Sequence, residues 1–222
     1  MSRSEEVAVG PVAAYARRAQ EYSDLLGSVD QMEREDRRRI EDWADGVPSA
    51  DGEGEFCAPE ILDLGCGPGH WSAHLAARGH RVLGIDPAEE FVALARERHP
   101  EVPFATGSAE DLQASAGRFD GILAWYSLIH CPPHTLPGLL ATVRGALRPR
   151  GTLLLGFFTG ERIAPFDHAV TTAWTWPMPE VRRMLFEEGF TVVDSQARVI
   201  VPGASDGDLD RRVHGDVWAQ RR

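Results

Sequence analysis

Cysteine is scarce in this 222-residue chain: Cys57, Cys66 and Cys131 are too few and too scattered for a disulfide framework. That usage fits a reducing cytoplasm, where the protein is expected to reside. Long apolar runs are missing as well. None approaches the ~18 residues that span a bilayer, and the charged start (Arg3, Glu5, Glu6) has no apolar stretch resembling a signal peptide. No membrane partner is expected. Basic residues are outnumbered, 23 against 34 acidic ones, for a formal charge of −11. Such a surface repels polyanions, and a nucleic-acid binder usually carries a basic stripe. The nearest approach to one, Arg37-Arg38-Arg39, lies among the acids of residues 33–42. There, i,i+4 pairs Glu33–Arg37 and Glu35–Arg39 are expected on a solvated helix face. No nucleic-acid partner is expected, no internal repeat is visible, and the sequence leaves oligomeric state open.

What is present is an ordinary globular composition, 43% apolar. Residues 7–44 read as helical, with Val12, Tyr15, Ala19, Tyr22 and Leu26 at spacings of three and four, and a second helical stretch over 31–43. A connector rich in Gly, Asp, Glu and Pro follows over 45–59. Beyond residue 60, short apolar runs alternate with helical stretches. Strands are expected at 61–64, 81–86, 104–106, 119–125, 152–158, 191–199 and roughly 213–219. Helices are expected at 71–78, 89–98, 136–147 and 179–188, the last ended by Gly189 in the left-handed conformation. This alternation implies an α/β, doubly wound, Rossmann-like sheet of seven mostly parallel strands with helices on both faces. Residues 1–58 form a helical cap and connector, and 59–222 the main body.

In an open parallel sheet, ligands bind outside the carboxyl ends of the strands. After the first strand comes Asp63-Leu64-Gly65-Cys66-Gly67-Pro68-Gly69. Its alternating glycines allow a tight turn that brings a ligand against main-chain N–H groups, or serve merely as a strand–helix turn. A dinucleotide fingerprint would put its third glycine at His70; here it is Gly69. After the second strand, Asp86 lies 21 residues beyond Gly65. Its two oxygens suit a ribose diol, with Pro87 beside it, yet Asp before Pro is also a helix-capping pattern, and the two tasks compete for the same oxygens. Ser108, Ala109 and Glu110 follow the third strand, where an adenine edge or a helix start fits equally. Trp125-Tyr126-Ser127 and His130 follow the fourth.

Taken in order, ILDLGCGPG (61–69), GIDP (84–87), GSAEDL (107–112), FDGIL (119–123) and LRPRGTL (147–153) resemble the successive motifs of class I S-adenosylmethionine-dependent methyltransferases. Glu188-Gly189-Phe190 resembles the turn before the antiparallel strand that closes that family's sheet. The helices bearing Tyr15 and Tyr22 resemble the cap of its small-molecule branch. Arg150 departs from the pattern, which usually has glycine there, in a turn away from the cofactor. The resemblance implies S-adenosylmethionine as cofactor, with Asp63, Gly65, Cys66 and Gly67 at its methionine portion and Asp86 and Pro87 at the ribose. It further implies Ser108, Ala109 and Glu110 at the adenine, and Trp125 and Ser127 at the sulfonium. Tyr22 and Trp71 are further contacts from the cap and first helix.

Methyl transfer from a sulfonium is an in-line displacement in which the protein chiefly aligns donor and acceptor. A base helps when the acceptor must lose a proton. His130 is the candidate, unless it only orients its loop; His168 is a second, or a plain loop histidine. Tyr15, Tyr126, His168 and Trp174 are candidate walls of a substrate pocket, although large aromatics also fill cores. The segment with Tyr15 and Tyr22 is expected to fold over the cofactor as a lid. The run His130 to His134 is not expected to bind zinc, since two prolines separate its ligands and no second pair exists. Competing readings are a Rossmann-type NAD(P)-dependent oxidoreductase, a non-catalytic cofactor-binding module, and a methyltransferase acting on RNA or protein.

Overall fold

The computed structural model describes residues 10–49, 58–199 and 212–222. Cys57, most of the expected connector and residues 7–9 of the expected first helix lie outside them. Helices α1 (Pro11–Arg17) and α2 (Ala19–Leu26) lead through a short 3-10 turn, Val29–Gln31, into α3 (Arg34–Asp45). The interval between the two expected helical stretches falls at Gly27-Ser28. There the Ser28 hydroxyl accepts from Asp30 N–H, and Gln31 Oε1 accepts from Ser28 N–H. Serine and glycine compete with helical bonding in this way, which separates α2 from α3.

The alternating body follows: β1 (Glu60–Leu64), α4 (His70–Ala77), β2 (Arg81–Asp86), α5 (Glu89–Arg98), β3 (Phe104–Thr106), a 3-10 segment (Ala109–Ser115), β4 (Phe119–Trp125), α6 (Leu136–Ala146) and β5 (Leu147–Thr159). A hairpin, β6 (Ala164–Asp167) with β7 (Thr172–Trp176), comes next, then α7 (Met178–Glu187), β8 (Phe190–Val199) and β9 (Val213–Arg221). Parallel pairing runs β3-β2-β1-β4-β5, and the antiparallel pair β9-β8 continues from β5.

The sheet has nine strands rather than the expected seven, because β6 and β7 join it. β7 pairs in parallel with Phe158 and Thr159, past the end of β4, while β6 pairs antiparallel with β7. Pro165 masks β6 in the sequence, as proline removes a ladder donor and confines a strand to an edge. β5 also begins earlier than expected, its turn passing through Arg150 at φ 66°. That left-handed value is the physical reason glycine suits the position.

Strand alternation sorts the core into two layers. Leu62, Ile122 and Leu153 share a register row and face α6 and α7, whereas Leu123 and Leu154 face α3, α4 and α5. α3 belongs to this second layer through Ile40, Trp43 and Ala44, all fully buried. Burial reaches Arg39 as well, which corrects the expectation of a solvated basic face: Arg39 bonds Asp194 and Asp216, not Glu35, and Arg37 bonds Asp30, not Glu33. α1 and α2 instead lie on α5, where Tyr15, Ala16, Ala19 and Tyr22 pack against Ala88 and Phe91. No described helix is long and apolar enough to cross a membrane.

Candidate active site

The carboxyl edge of the sheet gathers the turn after β1, the end of β2, the loop after β4, and Tyr15 and Tyr22. Gly65, at φ 74°, stands where a Cβ would fall 2.3 Å from Ser127 Cβ, so only glycine lets the two turns meet. Gly67, at φ 52°, faces open space. The main-chain donors of this loop are largely spent inward, against expectation. Gly65 and Cys66 N–H both reach Ile85 O, at 2.8 and 2.9 Å, Gly69 N–H reaches Cys66 O, and Gly67 N–H reaches Asp86 Oδ2 at 3.0 Å. The loop crosses the end of β2 and uses its amides to close that crossing. Its side-chain carboxylates and the open flank of Gly67 are what remain for a ligand.

Asp86 performs the turn role directly, as Oδ1 accepts from Ala88 N–H at 2.8 Å just ahead of α5. Each carboxylate oxygen accepts two hydrogen bonds, so one position on each stays free for a hydroxyl, and the two readings of Asp86 do not compete as expected. Burial raises its pKa. Asp63 is buried beneath it, with Ser72 Oγ donating to Oδ2 at 2.6 Å, and burial pushes its pKa up to about 7. Neither acid has a cationic partner among the described residues. Ser127 Oγ, next to Gly65, is buried without a hydrogen-bond partner. Two buried acids lacking a cation and one orphaned hydroxyl suit a positively charged, polar ligand, and the ammonium and sulfonium of S-adenosylmethionine meet that description.

Tyr15 and Tyr22 stack edge-to-face at 5.8 Å, and both pack on Phe91. Burial, and then the nearby Asp86 charge, raises Tyr22 to about 12. His130 comes to the same place: Tyr15 Oη is 2.9 Å from its Nε2, and its Nδ1 is 2.8 Å from the Thr172 carbonyl. Burial lowers its pKa. The His168 ring lies 5.4 Å from that of His130.

The remaining expected site residues differ in burial and bonding. Trp71 and Cys66 are buried in the core layer under α3 and α4, and burial pushes the Cys66 thiol up. Trp125 enters the same layer, its ring under the Arg198 guanidinium at 5.7 Å and its side chain bonded to Asp36. Tyr126, at φ 56°, bonds His214 Nδ1 through its hydroxyl at 2.6 Å. Ser108 donates through both N–H and Oγ to Asp111 at the start of the 3-10 segment, and Glu110 is exposed. Ala109 is buried, Pro87 is exposed, and Trp174 is half-buried with its N–H on Ile129 O. Sequence reading missed Thr172, Phe91 and His214. A backbone carbonyl carries no residue-type signal; Phe91 reads as an ordinary core position of α5, and His214 becomes significant only when β9 pairs with Phe158.

Residues 61–151 match the family model described as a methyltransferase domain. An uncharacterised methyltransferase of Synechocystis is 29% identical over 143 residues, covering 60% of this chain and 68% of that protein. The ubiquinone biosynthesis O-methyltransferase of Xanthomonas axonopodis is 37% identical over 106 residues, 46% of this chain and 44% of its own length. The chain thus spans less than half of that second relative. Among solved structures, the 1,6-didemethyltoxoflavin-N1-methyltransferase of Burkholderia thailandensis, with 1,6-didemethyltoxoflavin and S-adenosylhomocysteine bound, superposes with a TM-score of 0.69 at 24% identity. That likeness, over 99% of this chain and 93% of the other, is one of fold.

Proposed function

We propose that the chain, whose residues 61–151 match the methyltransferase-domain family model, transfers a methyl group from S-adenosylmethionine to a small-molecule acceptor, with His130 as base. The observation that carries this is the buried Asp63–Asp86 pair, without a cationic partner among the described residues, beside the orphaned Ser127 hydroxyl. Asp63, Ser127 and the Gly65–Gly67 turn would hold the methionine end, and Asp86 the ribose hydroxyls, with Tyr15 and Tyr22 closing over them. Bound there, the cofactor supplies an already activated methyl group. The protein's part is then to bind, align and exclude water. The negative surface and the relatives' names favour a small molecule over nucleic acid.

His130 has the right form for a base. The Thr172 carbonyl only accepts, so Nδ1 carries the hydrogen and Nε2 the lone pair. Calorimetric titration with S-adenosylmethionine, S-adenosylhomocysteine and NADH tests the cofactor reading. Saturable binding of the first two, weakened in Asp86→Ala, is expected. Binding of NADH alone would sink this reading and favour an oxidoreductase.

A further inference from the structure

α1 reaches across to the loop after β4 and places the Tyr15 hydroxyl on His130, 115 positions away in sequence. With Nδ1–H committed to Thr172, Nε2 has only a lone pair to offer, so the phenol is the donor in this contact. Its surroundings keep it a phenol: burial first, then Tyr22 and Asp86, push Tyr15 ionisation well above its ordinary value. The groups facing His130 are Tyr15 from α1, His168 and the Thr172 carbonyl from the hairpin, and no carboxylate pairs with it among the described residues. The α1 segment and the hairpin, which also meet where Arg18 donates to the Ala169 carbonyl, therefore grip one imidazole by its two nitrogens.

We propose that Tyr15 is a positioning residue for His130: its hydroxyl caps Nε2 and holds the resting imidazole neutral and Nδ1-protonated until the X–H group (O–H or N–H) of an acceptor displaces it. This rests on the reading of His130 as the base. In the step that follows, the arriving X–H group takes the place of the Tyr15 hydroxyl at Nε2. The X–H bond breaks, an Nε2–H bond forms, and its electron pair stays on the acceptor as the nucleophile. The imidazolium keeps Nδ1–H on Thr172 throughout.

Imidazole-detected NMR of the full chain carrying ¹⁵N-histidine tests this, with His130→Gln assigning the signal and each sample measured with and without S-adenosylhomocysteine. Tyr15→Phe keeps the ring that packs on Tyr22 and Phe91 and removes only the hydroxyl. Wild-type His130 is expected as the Nδ1–H tautomer, titrating below 6.5. In Tyr15→Phe the tautomer persists and the pKa rises by roughly half to one unit, the effect of losing one neutral donor to the lone pair. An Nε2–H tautomer in the wild type, or an unchanged pKa in Tyr15→Phe, overturns the proposal. Failure of S-adenosylhomocysteine to bind the wild type would overturn the cofactor reading instead, whatever the tautomer shows.

Discussion

Asp63 shows how one residue can bear the cost of a site. It lies on β1 in the register row of Leu123 and Leu154, where an apolar residue would pack with least penalty. Burial raises its carboxyl to about 7, with the neighbouring Asp86 charge adding to the effect and the Ser72 bond opposing it. A folded-state value above the unfolded one means that the native chain holds the proton longer. The destabilisation is absent below about 4, grows as pH rises, and is complete above about 7. A cationic ligand favours the charged form, so binding should expel a proton below that pH and tighten as pH rises through 7. Calorimetry of S-adenosylmethionine binding in buffers of different ionisation enthalpy would show this as a buffer-dependent heat at pH 6 that fades at pH 8. A buffer-independent heat at pH 6 would exclude Asp63 as the linked group.

At the scale of elements, α3 is fixed to the closing strands by charge as well as by its apolar face. Arg39 donates to Asp216 at 2.6 Å and to Asp194 at 2.7 Å, while Arg198 donates to Asp216 at 3.0 Å and pairs with Asp36. The chain contains no lysine, and the planar guanidinium suits this bridging because its fixed fork reaches two carboxylates at once. Removing one member strands the others in a buried setting. Arg39→Met should therefore cost about 3–5 kcal/mol, against the near-neutral effect expected of a solvated arginine. Urea denaturation checks it, and a loss below about 1 kcal/mol would restore the surface reading. Sequence spacing could not reveal this network, since its members lie on α3, β8 and β9, over 150 positions apart in places.

For the whole molecule, the sheet edge is covered from two directions: α1 and α2 rest on the start of α5, and the β6–β7 hairpin extends past the end of β4. The lid has a small contact of its own, with only Ala19 and Ser23 buried among the described residues of α1 and α2. Few buried apolar contacts imply a low local opening energy. Saturating S-adenosylhomocysteine should accordingly slow amide exchange across residues 11–24 at least tenfold, while exchange in α3 changes little. Equal protection of the lid with and without ligand would count against its closing role.

The sequence by itself determined the alternating architecture, because strands buried on both faces and helices between them each leave a local apolar period. It also determined the glycine turn, Asp86 and the family resemblance, which rest on residue types a few positions apart. Arg150 was legible as a departure, since a left-handed backbone position favours glycine whatever surrounds it. Only the tertiary structure decided the rest. The burial of Arg39 and the inward turn of Trp125 depend on which strand lies beneath α3. The pairing of Tyr15 with His130, and of His130 with a carbonyl of β7, arises from long-range closure, where a hydroxyl, an imidazole and a backbone oxygen meet only after three distant elements have packed.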